Sequence, residues 1–265
     1  MPSTAPLDDT ADARRFSFDA GDRDAVYRAI HQRRDVRMFR DEPVEDTLLA
    51  RLLAAGHRAP SVGFMQPWSF LIIRSAATKA RIKDLYLRER QAAACFFDEP
   101  RRSQYLALKL EGICEAPVNI CVTCDPTRGG TQVLGRNSQP ETDVYSTCLS
   151  VQNIWLAARS EGLGVGWVSI LKTGELRDIL GIPPHIVPVA YLCIGWPVDL
   201  PLRPMLQDVG WRDRVPLRDV IRDEHFDVPA DLAEQAIADA DVEADRWATG
   251  SRGPEGRPSA RKRSR

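Results

Sequence analysis

Apolar residues recur at helical spacing in two stretches near the start of the chain. The first, DRDAVYRAIHQRR (22–34), puts Val26, Ala29 and Ile30 on one side and most of its charges on the other. The second, near 45–58, carries four leucines and a glycine at the same spacing. Residues three and four apart share a face of a helix, so both stretches are predicted to be amphipathic helices.

Four short runs farther along are apolar and contain many β-branched residues, which favours buried strands. They are SFLIIR (69–74), APVNICVTC (116–124), VGWVSI (165–170) and IVPVAYLCIG (186–195). Helical patterns lie between and after these runs, near 76–97, 101–115, 145–162, 174–180 and 216–221. Helices that alternate with strands in this way predict a layered α+β or α/β domain around one central sheet.

Three residues mark helix ends in the second half of the chain. Thr173 can cap the first turn of the helix predicted over 174–180. Gly181 can end that helix in the left-handed conformation that glycine tolerates. Pro216 would occupy the first turn of the last short helix.

Both ends of the chain and one internal segment have the composition of irregular structure. We expect a disordered N-terminal tail (1–20), one folded domain (21–226) and a C-terminal extension (227–265) that is largely disordered. Within the extension, 231–247 could form a frayed helix. Residues 125–142 are rich in Gly, Pro and polar residues. Long loops of this kind often serve as lids or binding loops.

The composition narrows the class of protein. The chain has 265 residues, a net charge of −1 and a pI of about 6.4, so its overall charge gives no reason to expect nucleic acid or an anionic membrane as partner. Several of the six cysteines fall in apolar runs, which favours reduced thiols. No stretch approaches the roughly 20 apolar residues that span a bilayer, and the N-terminus lacks the apolar core of a signal peptide. We expect a soluble, cytoplasmic protein.

The segment RRDVR (33–37) places three arginines around one aspartate. Arginine binds phosphate with a planar fork of donors, so Arg33, Arg34 and Arg37 suit a phosphate site. An alternative is that they only complement the dipole at the end of the first helix. Asp35 fits neither interpretation well, because its carboxylate would repel the same anion.

The connector APSVGFMQPWSF (59–70) combines a turning backbone with hydrogen-bonding and apolar side chains. Ser61 and Gln66 offer polar groups, and Met65 lies among aromatic residues. This mixture suits a flat aromatic ligand with polar edges. The alternative is a Pro-rich connector whose aromatic residues fill the core.

Three further motifs contain residues that could take part in a binding site. EGLGVGWVSI (161–170) has G-x-G-x-G spacing and opens a strand, so it is not a dinucleotide fingerprint, although Ser169 at the strand end can present a hydroxyl. CVTC (121–124) lies on a predicted strand, where residues three apart face opposite ways, so we expect no metal site. Arg212 and Arg214 could complete a phosphate site or could be solvated surface residues.

Together these segments resemble the FMN-dependent nitroreductase family, in order and in approximate spacing. The similarity covers about 22–226 and includes the blocks LKLEGI, CVTCDPTRGG and VLGR. It is closest to the branch of 5,6-dimethylbenzimidazole synthases, which supply the lower ligand of cobalamin.

The resemblance implies a fold, an assembly and a site. The fold would be an α+β three-layer sandwich with a mostly antiparallel central sheet, in an intertwined homodimer with FMN at the interface. The arginines would hold the phosphate, the connector would line the ring, and residues 125–142 would form the lid. The implied FMN-binding residues are Arg33, Arg34, Asp35, Val36, Arg37, Ser61, Met65, Gln66, Lys109, Ser169, Arg212 and Arg214.

Asp35 marks the branch, because ordinary members of the family carry serine there in the pattern R-R-S-x-R. The branch also shares the serine that is Ser169 here. The resemblance implies that these two residues are catalytic, and that reduced FMN reacts with O2 and is broken down to 5,6-dimethylbenzimidazole and erythrose 4-phosphate. A flavin reductase that uses NAD(P)H would supply the electrons.

Two other functions stay open at this point. One is an NAD(P)H-dependent FMN nitroreductase or cob(II)yrinate a,c-diamide reductase that keeps its flavin. The other is a non-catalytic flavin-binding protein that works through its basic tail.

Overall fold

A computed structural model describes residues 15–232 and 234–249 of the chain, which divides into two compact units. One unit is Arg33–Ala230, and the other combines the described parts of Met1–Gln32 and Asp231–Arg265. In this division the first helix groups with the C-terminal extension, and the domain boundaries expected at 21 and 226 stay a prediction. The predicted tails at 1–14 and 250–265 lie outside the described residues.

The helices and strands follow the order that the hydrophobic pattern predicts. They are α1 (Ala20–Gln32), α2 (Asp46–His57), β1 (Trp68–Ile73), α3 (Ala76–Ala94), α4 (Arg101–Ala107), β2 (Val118–Cys124), α5 (Thr142–Ser160), β3 (Gly164–Val168), α6 (Thr173–Leu180), β4 (Val187–Gly195), α7 (Met205–Asp208) and α8 (Glu234–Thr249). Two short 3-10 turns occupy Val62–Phe64 and Leu217–Asp219. Within the described residues, no helix is both long enough and apolar enough to cross a membrane.

Helices α1 and α8 form the smaller unit. The rings of Tyr27 and Trp247 are stacked with centroids 6.4 Å apart, and the Gln32 side-chain amide donates to the Trp247 carbonyl oxygen at 2.9 Å. The frayed helix expected over 231–247 is a helix of 16 residues. These interactions show that the two distant segments of the chain fold together.

The four strands form one antiparallel sheet in the order β1-β2-β4-β3. Trp68 at the start of β1 pairs with Cys124, and Val168 at the end of β3 pairs with Tyr191. All four predicted strands are confirmed, and so is the mostly antiparallel sheet.

Helices cover both faces of the sheet and make three layers. On one face α2 and α5 pack on the sheet, and this core includes Leu52, Ile154, Ile120, Val122 and Leu192. On the other face α3 and α6 pack on the alternate sheet residues, in a core that includes Ile82, Leu85, Leu176, Cys121 and Tyr191. Because side chains alternate along a strand, the sheet is buried on both sides, which explains its continuous apolar runs.

Three local predictions are wrong. The helix expected over 101–115 ends at Ala107, because the chain turns extended at Leu108 and the buried Glu111 carboxylate accepts from the Ile113 N–H at 2.8 Å. Thr173 is the first residue of α6 and not its cap, since Lys172 occupies the N-cap position. The last short helix is only the 3-10 turn noted above. Gly181 does end α6, with φ of 64°.

Candidate functional site

The segment RRDVR is extended and runs along the edge of the sheet beside β3. The Val36 N–H donates to the Val165 carbonyl oxygen at 3.0 Å, and Asp35 and Val165 form a parallel bridge. This corrects the expectation that the arginines sit at a helix end, because α1 stops at Gln32. Extended backbone alternates its side chains, so Arg34 and Val36 are buried and Asp35 is exposed on the opposite face.

Two glycines of β3 allow this close approach. A Cβ at position 166 would stand 2.1 Å from the Val36 carbonyl oxygen, and one at position 164 would stand 2.6 Å from Val36 Cγ2. The G-x-G-x-G spacing in the sequence therefore serves backbone packing. Glycines inside a strand are a known signal for close approach of another backbone, and that signal could have located this contact.

The Asp35 carboxylate is held by a bidentate ion pair. Arg37 Nη1 and Nη2 donate to Asp35 Oδ1 and Oδ2, each at 2.5 Å, and the Trp167 N–H donates to Oδ1 at 3.0 Å. The Arg37 side chain is 14% exposed and that of Asp35 is 42% exposed. The carboxylate is thus fixed in direction while it still faces solvent.

A cavity of about 200 Å³ lies at the end of β3. Its lining includes Trp167, Ser169, Thr173, Leu176 and Tyr191. Trp167 therefore connects Asp35 to the cavity, because its backbone N–H donates to the Asp35 carboxylate and Trp167 also lines the cavity. Sites that enclose a cofactor-sized ligand measure about 300–1,000 Å³, so one chain encloses only part of such a ligand here.

Four arginines gather around the buried start of RRDVR. Burial lowers the pKa of Arg34, and the charges of Arg33, Arg214 and Arg159 lower that pKa further, against a smaller opposing effect of Asp208. Arg34 also donates to the Arg33 carbonyl oxygen at 2.7 Å and to the Leu202 carbonyl oxygen. Like charges this close repel one another, so an anion with two charges would relieve the repulsion.

The sequence did not single out Arg159. It lies in the last turn of α5, where a basic residue is ordinary. Arg33 lies over the ring of Trp155 from the same helix, 4.8 Å from its centroid, and the Trp155 indole N–H donates to the Arg34 carbonyl oxygen at 3.2 Å. The position of Arg159 on α5, one turn after Trp155, is the signal that could have found it.

Helix α4 fixes the segment that carries Arg214. The Arg101 guanidinium lies 3.5 Å from the centroid of the Trp211 ring and donates to the Trp211 carbonyl oxygen at 2.7 Å. The Gln104 side-chain amide donates to the Val209 carbonyl oxygen at 3.0 Å. Arg212 is not among the charges that act on the pKa of Arg34, and its backbone N–H donates to the Leu206 carbonyl oxygen at 3.3 Å, so the structure does not bring it into the arginine group in the same way.

The connector before β1 has a strained backbone. Gly63, Phe64 and Gln66 have φ of 53°, 56° and 50°, and Ser61 Oγ accepts from the Gln66 N–H at 2.9 Å. Met65 is buried. A positive φ is costly for residues other than glycine and is often found at functional sites.

The loop over 125–142 packs on the connector. Arg128 Nη1 donates to the carbonyl oxygens of Gln66 and Trp68, at 2.9 and 2.6 Å. A Cβ at position 63 would stand 2.6 Å from Val133 Cγ1 of the loop. A second cavity, of about 280 Å³, opens beside the connector and is lined by Pro60, Ser61, Val62, Thr142, Tyr145, Ser146 and Leu149.

The two parts of the expected site lie at opposite edges of the sheet. The connector leads into β1 and RRDVR lies on β3, and these edge strands are three strand spacings apart, about 14 Å. Lys109 is also separate, because its ammonium contacts Glu111 at 3.2 Å and Glu115. The buried Val36 side chain packs on Gly164 of β3 and lines neither cavity. A single chain therefore places Asp35, Arg37 and Ser169 on the β3 side of the sheet and the connector on the β1 side.

Comparisons with known proteins agree with this fold. The chain matches the Nitroreductase family over residues 30–196. It is 42% identical over 199 residues to a 5,6-dimethylbenzimidazole synthase of Rhodospirillum rubrum, covering 75% of this chain and 94% of that protein. It is 37% identical over 203 residues to one of Rhodobacter capsulatus, covering 76% of this chain and 97% of that protein.

The same fold is found in solved structures. Oxidized iodotyrosine deiodinase bound to FMN and 3-iodo-L-tyrosine superposes with a TM-score of 0.61 at 22% identity, and the match covers 76% of this chain and 100% of that chain. At this identity the likeness concerns the fold alone.

Proposed function

Because this chain belongs to the nitroreductase family, whose model it matches over 30–196, we propose that it is a 5,6-dimethylbenzimidazole synthase. In this proposal it breaks down reduced FMN with O2 to 5,6-dimethylbenzimidazole and erythrose 4-phosphate, and the remaining atoms of the pyrimidine ring leave as a third fragment that takes up the oxygen. The two relatives of that name, at 42% and 37% identity, support it. The observation that carries it is the Asp35 carboxylate, fixed by Arg37 and by the Trp167 N–H beside the cavity that contains Ser169.

The residues of the arginine group fit the phosphate of FMN. A phosphate monoester carries close to two negative charges at neutral pH and accepts charge-assisted hydrogen bonds from guanidinium groups. Arg33, Arg34 and Arg214 would hold it, with Arg159 beside them. Iodotyrosine deiodinase, which has this fold, binds FMN, and this supports flavin as the ligand. When bound, reduced FMN supplies the electrons that O2 takes up and the carbon atoms of the product.

We propose a homodimer in which each flavin lies between the two copies. Each cavity of a single chain, about 200 Å³ and about 280 Å³, is smaller than a site that encloses a ligand of this size. A second copy would bring the connector residues Ser61, Met65 and Gln66 to the ring and close the site. Exclusion of water strengthens every charged interaction inside it.

The roles of Asp35 and Ser169 follow from their surroundings. Cleavage of C–C and C–N bonds in the substrate requires protons to be removed and delivered near the bonds that break. Asp35 Oδ1 already accepts two hydrogen bonds, whereas Oδ2 accepts only from Arg37 among the described residues, so Oδ2 would hold and move the proton. A positioned general acid or base contributes about 10²–10⁴-fold to a rate. The Ser169 hydroxyl would donate a hydrogen bond to the substrate from the cavity wall.

A coupled assay tests the proposal. The protein is incubated with FMN, NAD(P)H and a separate flavin reductase in air, and 5,6-dimethylbenzimidazole is measured by chromatography. Reduced FMN would reach the protein by diffusion from the reductase. Formation of the product only when all components are present supports the proposal.

The same preparation separates the alternative functions. A nitroreductase or cob(II)yrinate a,c-diamide reductase would let NAD(P)H alone bleach the bound flavin without O2, and an added acceptor would then restore the colour. That behaviour, without 5,6-dimethylbenzimidazole, would contradict the proposal.

A further inference from the structure

Arg37 stands apart from the other arginines of RRDVR. On an extended segment, residues 35 and 37 share the face opposite to Arg34. The largest repulsions on Arg34 come from Arg33, Arg214 and Arg159, not from Arg37. Arg37 therefore faces away from Arg34, the buried arginine at the centre of the group that suits the phosphate.

Both amino groups of Arg37 are already engaged. Nη1 and Nη2 donate to the two oxygens of Asp35 in parallel, which is the strongest and most directional form of an Arg–carboxylate pair. To bind a phosphate with these same two N–H groups, the guanidinium would have to release both bonds and leave the carboxylate with the Trp167 N–H alone.

The surroundings of Arg37 also restrict its movement. A Cβ at position 166 would stand 3.1 Å from Arg37 Nη1, so the glycine makes room for the guanidinium. The Arg37 carbonyl oxygen lies 2.8 Å from the Cβ position of Gly112, and the guanidinium is close enough to Tyr86 to oppose the rise in pKa that burial causes there. The side chain, which is 14% exposed, thus lies against β3 with Tyr86 of α3 nearby, and its backbone lies against the turn before β2.

We infer that Arg37 is a positioning residue, which holds the Asp35 carboxylate against β3 with Oδ2 directed to the flavin, and that it is not a ligand of the FMN phosphate. The inference rests on the proposed function for the role of Asp35. It assigns different tasks to arginines of one motif: Arg33 and Arg34 bind the substrate, and Arg37 orients the catalytic group.

The first test is a ratio of affinities and needs no catalysis. The dissociation constants of oxidized FMN and of riboflavin, which lacks the phosphate, are measured by flavin fluorescence for the wild type, Arg37→Gln and Arg33→Gln. Their ratio reports the contribution of the phosphate, and it does not depend on the folded fraction. We expect Arg33→Gln to reduce the preference for FMN about tenfold, since hydrogen bonds to charged groups contribute about 1.5–3 kcal/mol. We expect Arg37→Gln to leave it within about twofold, which is smaller than the loss of one such bond.

The second test follows the carboxylate itself. Arg37→Gln should speed hydrogen exchange of the Trp167 amide, as Asp35→Ala should, because the acceptor of that N–H is no longer held in place. Arg40→Gln is the matched control: Arg40 is exposed, pairs with Glu42 at 3.5 Å, and loses the same charge. It should change neither the exchange nor the affinity ratio.

The third test compares rates. Arg37→Gln should reduce product formation about as far as Asp35→Asn, and the double variant should be no slower than either single one. Arg37→Lys, which can restore one of the two hydrogen bonds, should recover part of the rate.

Two results would overturn the inference. A loss of preference for FMN in Arg37→Gln as large as in Arg33→Gln would make Arg37 a phosphate ligand. An unchanged Trp167 exchange rate would show that Arg37 does not hold the carboxylate. If the wild type forms no 5,6-dimethylbenzimidazole, the proposed function fails, while the affinity ratio and the exchange rate still decide what Arg37 does.

Discussion

Gly166 lies directly beneath Val36, whose carbonyl oxygen is 2.1 Å from the place where a Cβ would stand on residue 166. No larger residue fits there unless the RRDVR segment moves away from β3. The distance therefore couples one glycine in the middle of a strand to the position of the Asp35 carboxylate, one residue before Val36.

Gly166→Ala is expected to separate RRDVR from β3. The Val36 carbonyl oxygen belongs to the backbone and cannot rotate away as a side chain can, so the Asp35–Arg37 pair would shift. Product formation would then fall at least about 100-fold. The free energy of unfolding, measured with urea, should fall by about 1–3 kcal/mol. Gly174→Ala is the control, because nothing lies within 4 Å of a Cβ there and α6 tolerates alanine. Equal losses in the two variants would contradict the role assigned to Gly166.

Asp35→Asn tests the carboxylate without changing its size. The amide cannot act as a general base, so the rate of product formation should fall about 10²–10⁴-fold. Binding of FMN should stay near that of the wild type, because the substitution removes a negative charge near the phosphate site. A rate close to that of the wild type, measured at saturating reduced FMN, would mean that Asp35 has only a structural role.

Trp211→Ala should weaken FMN binding although the ring lies outside both cavities. Trp211 and Arg101 stack at 3.5 Å and hold the segment that leads to Arg214. Loss of the ring should loosen that segment and raise the dissociation constant of FMN several-fold, with a smaller effect on riboflavin. Titration of both flavins checks this. An equal effect on the two would place the role of Trp211 away from the phosphate.

Glu111→Gln should destabilise the protein in a pH-dependent way. Burial by itself would raise the pKa of Glu111, but hydrogen bonds from Lys83 and the Ile113 N–H, with the charges of Lys109 and Lys83, hold it below 4.5. A carboxyl group whose pKa is lower in the folded than in the unfolded state stabilises the fold at pH values above its unfolded-state pKa. That contribution is lost as the pH falls through the folded-state pKa.

The loss in Glu111→Gln should be about 1–3 kcal/mol at pH 7, because the negative charge that meets Lys83 and Lys109 is removed and one acceptor oxygen becomes an NH2 group. The difference in the free energy of unfolding between Glu111→Gln and the wild type should become smaller as the pH falls below 4.5. Urea unfolding of both proteins at pH 7, 5, 4 and 3 measures it. A difference that stays constant across this range would contradict the assigned pKa.

The sequence predicted the helices and strands better than it predicted the contacts between them. All four strands were located because each is a short apolar run, and the two helical stripes near the start were located by their spacing. The helix expected over 101–115 was overextended, since the pattern does not show that the Glu111 carboxylate turns inward to meet Lys83.

The site shows the same limit. Asp35 and Ser169 are predicted site residues because Asp35 differs from the usual family pattern and Ser169 agrees with that of one branch. The pairing of Asp35 with Arg37 could not be found, because it depends on extended backbone in a segment whose neighbours suggest a helix. The contribution of Arg159 depends on where α5 ends in space. The G-x-G-x-G run can be read in the sequence, but its role in close backbone packing depends on the contact with Val36, which only the structure shows.

A single-turnover experiment tests the central claim most directly. FMN bound to the protein is photoreduced without O2 and then mixed with air-saturated buffer, so that neither NAD(P)H nor a reductase is present. The proposed function predicts loss of flavin with about one 5,6-dimethylbenzimidazole formed for each FMN lost, as the reaction requires, and almost none with Asp35→Asn. Full recovery of oxidized FMN together with hydrogen peroxide, and no 5,6-dimethylbenzimidazole, would contradict it.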